Sequence, residues 1–337
     1  IKLYYLSWKF IFDKYQVDFF IHEPVSLLMN QIAACFCDDR RCIYSTHILV
    51  KGEKENEFSF IMVDDYNGFP TLINNKYQHI TDVELEANRE RIDNYLNNFR
   101  TTFKVFFSQL GNGNISKWDY YKLMIRKYYL FAVKKIKRKI FHPLFDNIEL
   151  FIYNDDLLSR RVNNIRQYHK IKFDEMDKSQ QYYFYPLHLE PEAVVLYWAD
   201  NKYTNQIKLI ENIASQLPAN VFLYVKDHPH LIGYRNVEDY ERLKRIPNVK
   251  LLNSAVSGKE IVANSKGVIT INGTAGFEAL LMNKEVITFG SSFYGVCKNV
   301  VKIDNVFDLK EVLYKSKQSS IIYNQEELQK FLLAYFQ

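Results

Sequence analysis

GVITINGTAGFEALL, from Gly267 to Leu281, decides the fold class, together with two stretches close by, VFLYVKDHP (Val221–Pro229) and EVITFG (Glu285–Gly290). Each opens with a short apolar, β-branched or aromatic run, the pattern of a strand buried on both faces of a parallel sheet. Each run then stops at polar or glycine residues, where an open α/β sheet places its ligands. Asn272-Gly273-Thr274-Ala275-Gly276 leads directly into the helical run FEALLMN. A glycine-rich turn at a helix start offers backbone N–H groups and the positive end of the helix dipole, which suits a phosphate. Glu278 lies one turn into that helix on the face of Thr274, where a carboxylate accepts hydrogen bonds from a ribose diol. Lys226 and His228 follow the first strand and Pro229 ends it. A cationic lysine and an imidazole at a strand's carboxyl end are groups that a diphosphate or phosphodiester needs. Taken singly, each feature has a plain counterpart: a connecting turn, a strand terminator, a solvated helix glutamate. On neighbouring strands of one sheet they point together to a phosphate-containing ligand.

The runs YPLHLEPEA (Tyr185–Ala193), LYVKDHP and VITINGTAGFEALLMNKEVITFGSSFYG also resemble the bacterial capsular polysaccharide biosynthesis proteins. The resemblance covers roughly Tyr182 to Lys315 with order and spacing kept. It implies two Rossmann-like domains in a GT-B architecture, and a glycosyltransferase of the kind that includes Kdo transferases using CMP-Kdo. The chain departs from the family at Glu190-Pro191-Glu192, where the family tends to have Gln-Pro-Glu; the extra carboxylate bears on which sugar is used. By the same resemblance Glu192 stands at the domain entrance, near sugar or base.

The rest of the chain fits that outline. Its 337 residues are enough for two domains, each with a core of its own. A 47% hydrophobic and 25% charged composition is that of a globular protein. No run approaches the ~18 apolar residues of a spanning helix, and no secretory leader is visible. The chain starts at Ile1 rather than Met, so an N-terminal portion is expected to be missing. Four cysteines are too few for a disulfide scaffold, and a reducing, cytoplasmic setting is the simpler inference. Cys35, Cys37 and Cys42 cluster, but C-x-C-x4-C is not a usual zinc spacing, and two of them fall in an apolar helix-like run.

A helix (Leu3–Lys14), strand (Val17–His22), helix (Pro24–Phe36) and strand (Cys42–Leu49) predict βαβ units and a parallel sheet. Glu23, at the end of the first strand, is the candidate general base for an acceptor hydroxyl; a helix-start glutamate favoured by the dipole is the ordinary alternative. From Thr81 to Phe107 the apolar spacing predicts a long amphipathic helix. Lys117–His142 carries nine Lys or Arg against the single acid Asp119, with Trp118, Tyr121, Ile125, Tyr128, Ala132, Ile136 and Ile140 at helical spacing. Such a helix either lies on an anionic membrane surface or packs its stripe in the core. No nucleic-acid motif accompanies the charge.

A domain line is expected between residues 182 and 183, separating an acceptor-side domain (1–182) from a nucleotide-sugar-binding domain (183–337). The latter is expected to run strand (Ala193–Trp198), helix (Thr204–Leu217), strand (Asn220–Lys226), helix (Asn236–Arg245), strand (Val249–Leu252), helix (Gly258–Asn264), strand (Gly267–Ile271), helix (Ala275–Met282), strand (Glu285–Phe289), and then Val300–Ile303 and two helices. The donor site is expected at Glu192, Lys226, His228, Asn272, Gly273, Thr274, Ala275 and Glu278, with Glu23 and His228 catalytic. The nucleotide-sugar enters as substrate, no cofactor is implied, and developing negative charge is stabilised without a metal. The acceptor is a glycan or a lipid-linked one. Two other classes share the pattern: an isomerase of the sugar-nucleotide 2-epimerase kind, and a non-catalytic sugar-nucleotide or membrane-binding module.

Overall fold

The computed structural model describes residues 1–22, 28–53, 58–63, 68–101, 118, 121–122, 124–126, 128–129, 132–133, 160–188, 190, 195, 198–199, 202–228, 231–318 and 323–337. Two sheets organise them. The larger has six parallel strands in the order β6-β5-β4-β7-β8-β9. These are β4 (Gln181–Pro186), β5 (Val221–Lys226), β6 (Val249–Leu252), β7 (Gly267–Thr270), β8 (Glu285–Thr288) and β9 (Val300–Lys302). Alternate side chains feed the two faces, as a pleated strand requires. Tyr182, Phe184, Tyr224 and Val268 join one apolar cluster, whereas Tyr183, Tyr185, Leu223, Val225 and Ile269 join the other. Both faces are covered, which is why β7 reads GVIT with all four residues buried.

The helices between these strands have polar starts that explain their boundaries. Asn205 accepts from the Lys208 N–H at 2.9 Å to open Gln206–Gln216, and Ser257 accepts from Glu260 N–H at 3.3 Å to open Gly258–Asn264. Asn324 caps the terminal helix Gln325–Phe336 through the N–H groups of Glu326 and Glu327.

The smaller sheet holds β1 (Phe19–His22), β2 (Ile43–Lys51) and β3 (Phe58–Val63), with β1 and β2 parallel and β3 antiparallel to β2. Helices α1 (Lys2–Lys14) and α2 (Leu28–Arg40) cover one face, packing Phe12, Ala34, Phe36 and Cys37 in one cluster with Tyr44 of β2. Cys37 and Cys42 are buried there and Cys35 is exposed; among the described residues no group of three metal-ligating side chains forms. Then come α3 (Thr71–His79) and α4 (Asp82–Thr101), the latter opened by a Thr81/Glu84 capping box.

Helices α3 and α4 do not stay with the small sheet alone. Ile73, Tyr77, Leu85, Ile92, Leu96 and Phe99 share one core with Leu328, Phe331 and Leu332 of the terminal helix. Polar contacts follow the same seam. Gln329 Nε2 donates to Asp93 at 2.7 Å, and Arg100 Nε donates to the Leu281 carbonyl at 2.8 Å. The buried Lys259 reaches the Phe99 carbonyl in the last turn of α4.

Three expectations change. Of the strand placed at Ala193–Trp198 only Val195 and Trp198 are described, and there Val195 is helical and Trp198 lies in a turn; the strand that fills the sheet's centre is β4, within the run QYYFYP. The expected domain line at 182/183 therefore passes through a strand. The strand β3 and the helix α3 were not foreseen, because neither has a clean apolar period. The long helix is observed to Thr101; Phe103 and Phe106 lie outside the described residues, as do Pro24, Lys117, Asp119, Ile136 and Ile140. In the basic stretch, Trp118, Tyr121, Ile125, Tyr128 and Ala132 are helical, and Trp118, Tyr121, Ile125, Tyr128 and the neighbouring Tyr129 are exposed rather than packed in a core. Among the described residues no helix is long and apolar enough to cross a membrane.

The packing of β7 on β8 makes one residue type obligatory. A Cβ on Gly267 would lie 2.7 Å from Glu285 Cβ and 3.0 Å from its carbonyl carbon, and backbone cannot rotate aside. Gly267→Ala is expected to lower stability by about 1–3 kcal/mol, the usual cost of overpacking, measured by urea titration.

Candidate functional site

From β4 the chain goes to β5 and β6 on one side, then returns to place β7 on the other side of β4. The carboxyl ends of β4, β5 and β7 therefore diverge at a switch point, where an open α/β sheet has its crevice. His188, two residues past β4, spans that gap. Its Nε2 lies 3.0 Å from Thr270 Oγ1, which also accepts the Gly273 N–H at 3.1 Å. Burial first, and the Arg235 charge second, push the imidazole down to about 4, so His188 is neutral at pH 7.

Gly273 precedes the helix Thr274–Leu281. A Cβ there would come 3.0 Å from Thr270 Oγ1 and 3.1 Å from His188 Cε1, a tight fit that would make one of these side chains shift by a few tenths of an ångström. The first helical turn leaves the N–H groups of Thr274 and Ala275 without intrahelical acceptors, and no acidic side chain sits in that turn. Tyr294 donates to the Gly273 carbonyl at 2.6 Å, fixing the turn from beneath. Gly276 makes this contact feasible, because a Cβ there would fall on the Tyr294 hydroxyl. Beside the turn, Asn272 is buried with neither its amide nitrogen nor its amide oxygen partnered. A buried carboxamide with both ends unmet costs on the order of 1–3 kcal/mol per group.

At the end of β5, Lys226 Nζ donates to the Ser254 carbonyl at 3.2 Å. Burial pushes its ammonium down to about 8, against the pull of Glu278 and Asp227. Asp227 is buried and accepts from the His228 N–H at 2.7 Å, Tyr240 Oη at 2.6 Å and Arg235 Nε at 3.1 Å. Arg235 also donates to Glu190 at 2.8 Å and to the His188 carbonyl at 3.0 Å. Gln206 closes the ring: its amide donates to Glu190 at 2.6 Å and accepts the His188 N–H at 2.8 Å. Burial, then the charges of Glu53 and Glu278, hold the α4 phenol Tyr95 above its usual range.

Of the expected site residues, Asn272, Gly273, Thr274, Ala275 and Glu278 lie along one turn and helix start. Lys226 and His228 lie at the end of β5, which is not the neighbouring strand expected from the sequence, because β4 stands between β5 and β7; Lys226 is still within electrostatic reach of Glu278. Glu23 and Glu192 lie outside the described residues. Sequence reasoning missed His188, Thr270, Asp227, Arg235 and Tyr294. A usable signal was present for two of them, since His188 and Asp227 directly follow apolar runs. For Arg235, a lone arginine in a loop, none was.

The family model for capsule polysaccharide biosynthesis proteins matches residues 121–298. The protein FixF of Sinorhizobium fredii (strain NBRC 101917 / NGR234) is 31% identical over 151 residues, which cover 43% of this chain and 35% of FixF. The match thus spans about a third of that relative's length. Among solved structures, the KpsC beta Kdo 2,4 transferase of Thermosulfurimonas dismutans is similar at 15% identity and a TM-score of 0.46, covering 93% of this chain and 78% of that one. The S. aureus MnaA structure with UDP is similar at 12% identity and a TM-score of 0.34, covering 98% and 73%.

The neutral, buried His188 has a stability signature. Its folded pKa, about 4, lies below the ordinary 6.5, so its contribution is complete above pH 6.5. As pH falls from 6.5 toward 4 the unfolded chain takes up a proton that the folded one refuses, and stability drops by up to about 3 kcal/mol. Urea unfolding of wild type and His188→Asn at pH 7 and pH 5 checks this: the wild type is expected to lose more stability than the variant.

Proposed function

The chain belongs to the capsule polysaccharide biosynthesis protein family, and from that premise we propose that it is a nucleotide-sugar-dependent glycosyltransferase of GT-B type. It transfers a sugar, Kdo or another acidic sugar from a CMP donor, to a glycan or lipid-linked acceptor on the cytoplasmic side. The observation that carries the proposal is the bare-backbone turn at Gly273 beside the unpartnered Asn272 amide, at the switch point of the sheet.

The residues divide the work by their chemistry. The donor phosphate sits on the Thr274 and Ala275 amides at the positive end of the helix. As the bond from sugar to phosphate breaks, negative charge grows on the leaving group, and Lys226 and His228 stabilise it. A lysine pushed down to about 8 is still mostly protonated at pH 7 and gives up its proton readily, so it serves as a charge or as an acid. Glu278 accepts from the ribose hydroxyls, and Asn272 pairs with donor and acceptor groups of the ligand. Glu23 takes the proton of the acceptor hydroxyl and Glu192 contacts sugar or base. Since the charge is met by side chains and amides, the reaction runs without a metal.

Thermal shift with CMP, UDP, GDP and CDP tests the donor class: CMP is expected to raise the melting temperature most. His228→Ala and Lys226→Met are each expected to weaken nucleotide binding about 10- to 100-fold, the scale of a lost charge-assisted hydrogen bond. Thr274→Ala is expected to weaken nucleotide-sugar use with the fold intact. Glu278→Gln is expected to weaken binding less, and Glu23→Gln to lower the rate with affinity kept. Wild-type binding in all the site variants would remove the assignment. Conversion of the sugar-nucleotide without transfer to any acceptor would favour the epimerase class.

The proposal includes docking on an anionic membrane through the basic helix. The exposed Trp118, Tyr121, Ile125, Tyr128 and Tyr129 supply the apolar side, and the lysines and arginines of 117–139 supply the charge. Each basic group near the surface contributes roughly 1 kcal/mol, and salt screens it. Vesicles with anionic lipid are expected to bind the wild type at low salt. Trp118→Ser with Ile125→Ser, or reversal of Lys134, Lys135, Lys137 and Arg138 to Glu, is expected to release it. Equal binding by both variants would end the membrane assignment.

A further inference from the structure

We infer that Arg235 is the positioning residue of the donor site: its guanidinium sets the spacing between the strand ends that carry His188 and His228, and it takes up the Glu190 carboxylate. The inference rests on the reading of this crevice as a nucleotide-sugar site.

Arg235 is 7% exposed and donates to three groups on two strand ends. The His188 carbonyl at 3.0 Å and Glu190 at 2.8 Å belong to the segment after β4, and Asp227 at 3.1 Å belongs to the end of β5. Asp227 passes the constraint to His228 by accepting its backbone N–H at 2.7 Å. His188 passes it to the third strand end, because its ring meets Thr270 Oγ1, which holds the Gly273 N–H. One planar cation therefore ties every strand end that carries an assigned phosphate ligand.

The loop bearing Arg235 is itself held in place. Gly233 has φ +87°, and a Cβ there would meet the Arg161 carbonyl at 2.9 Å, so glycine is required. Asn164 donates to the Gly233 carbonyl at 3.2 Å, and Arg161 lies 4.0 Å over the Tyr234 ring while donating to its hydroxyl at 2.7 Å. Neither Glu190 nor Asp227 has to meet a ligand for this arrangement to form. Both carboxylates are already engaged, Glu190 by Arg235 and Gln206, and Asp227 by Arg235, Tyr240 and the His228 amide. A lysine cannot replace the fork, because a single ammonium does not span acceptors on two segments in one plane.

The test compares Arg235→Lys, Arg235→Met and Glu190→Gln with wild type by calorimetric titration with CMP and by NMR of the ligand-free protein. Arg235→Lys is expected to stay folded, to bind CMP about tenfold or more weakly, and to shift the Gly273 amide resonance. Arg235→Met, which removes the charge facing His188, is expected in addition to raise the pH at which the His188 ring titrates. Glu190→Gln removes one charged partner without opening a cavity. It is expected to move the Gly273 amide in the same direction by less, and so keeps the inference testable should the Arg235 variants not fold. An unmoved Gly273 amide in the folded variants overturns the inference whether or not CMP binds. A lowered melting temperature with CMP affinity unchanged also overturns it and leaves Arg235 a stabilising ion pair. Absence of nucleotide binding in the wild type defeats the donor-site reading instead, and the ligand-free NMR still decides the positioning role.

Discussion

The placement of β4 between β5 and β7 is the constraint on which the site depends. Parallel strands need right-handed crossovers, so a chain that builds outward on one side of β4 and then on the other must leave its carboxyl ends splayed at that strand. The gap exposes backbone and polar groups that a sheet interior would have satisfied. His188 meets part of that need through Thr270, Tyr294 meets another part through the Gly273 carbonyl, and Asn272 is left over.

The charge network next to it is expensive to build. Placing Arg235, Asp227 and much of Glu190 away from water costs several kcal/mol per ion, which pairing only partly offsets. Well-packed apolar side chains would hold the same strands with less penalty. What they would not supply is direction: a guanidinium fixes its acceptors in one plane and at one distance. The network thus trades stability for a defined distance between two strand ends.

Four strands of the larger sheet were legible because their signal is local. VFLYVK, VKLL, GVIT and EVIT are short apolar runs between capped amphipathic helices, and the structure sets strands at each. The central strand escaped notice because QYYFYP carries three tyrosines, a composition that resembles a polar connection. Its hydroxyls find partners only through the tertiary fold, Tyr182 at the Ile261 carbonyl at 2.8 Å and Tyr183 at Glu285. The apolar run AVVLYW carries a stronger strand signal, yet Val195 within it is helical. In the site, groups with obvious chemistry at strand ends, Lys226 and the Asn272–Ala275 turn, were readable in order. Their supports were not, since Arg235 acts on residues 8 and 47 positions away and His188 on one 82 positions away. Sequence periodicity carries no trace of such separations.

The seam between α3, α4 and the helix Gln325–Phe336 has a consequence for how the molecule is made. Tyr77 and Ile92 share a core with Phe331 and Leu332, about 240 residues later in the chain. During synthesis the apolar faces of α3 and α4 emerge from the ribosome long before their covering helix exists. At the ~5–20 residues per second of translation, they wait many seconds with Ile73, Leu85 and Leu96 uncovered. Until the helix Gln325–Phe336 is released, those faces lack the cover it gives them in the folded chain, and the shared core closes only afterwards.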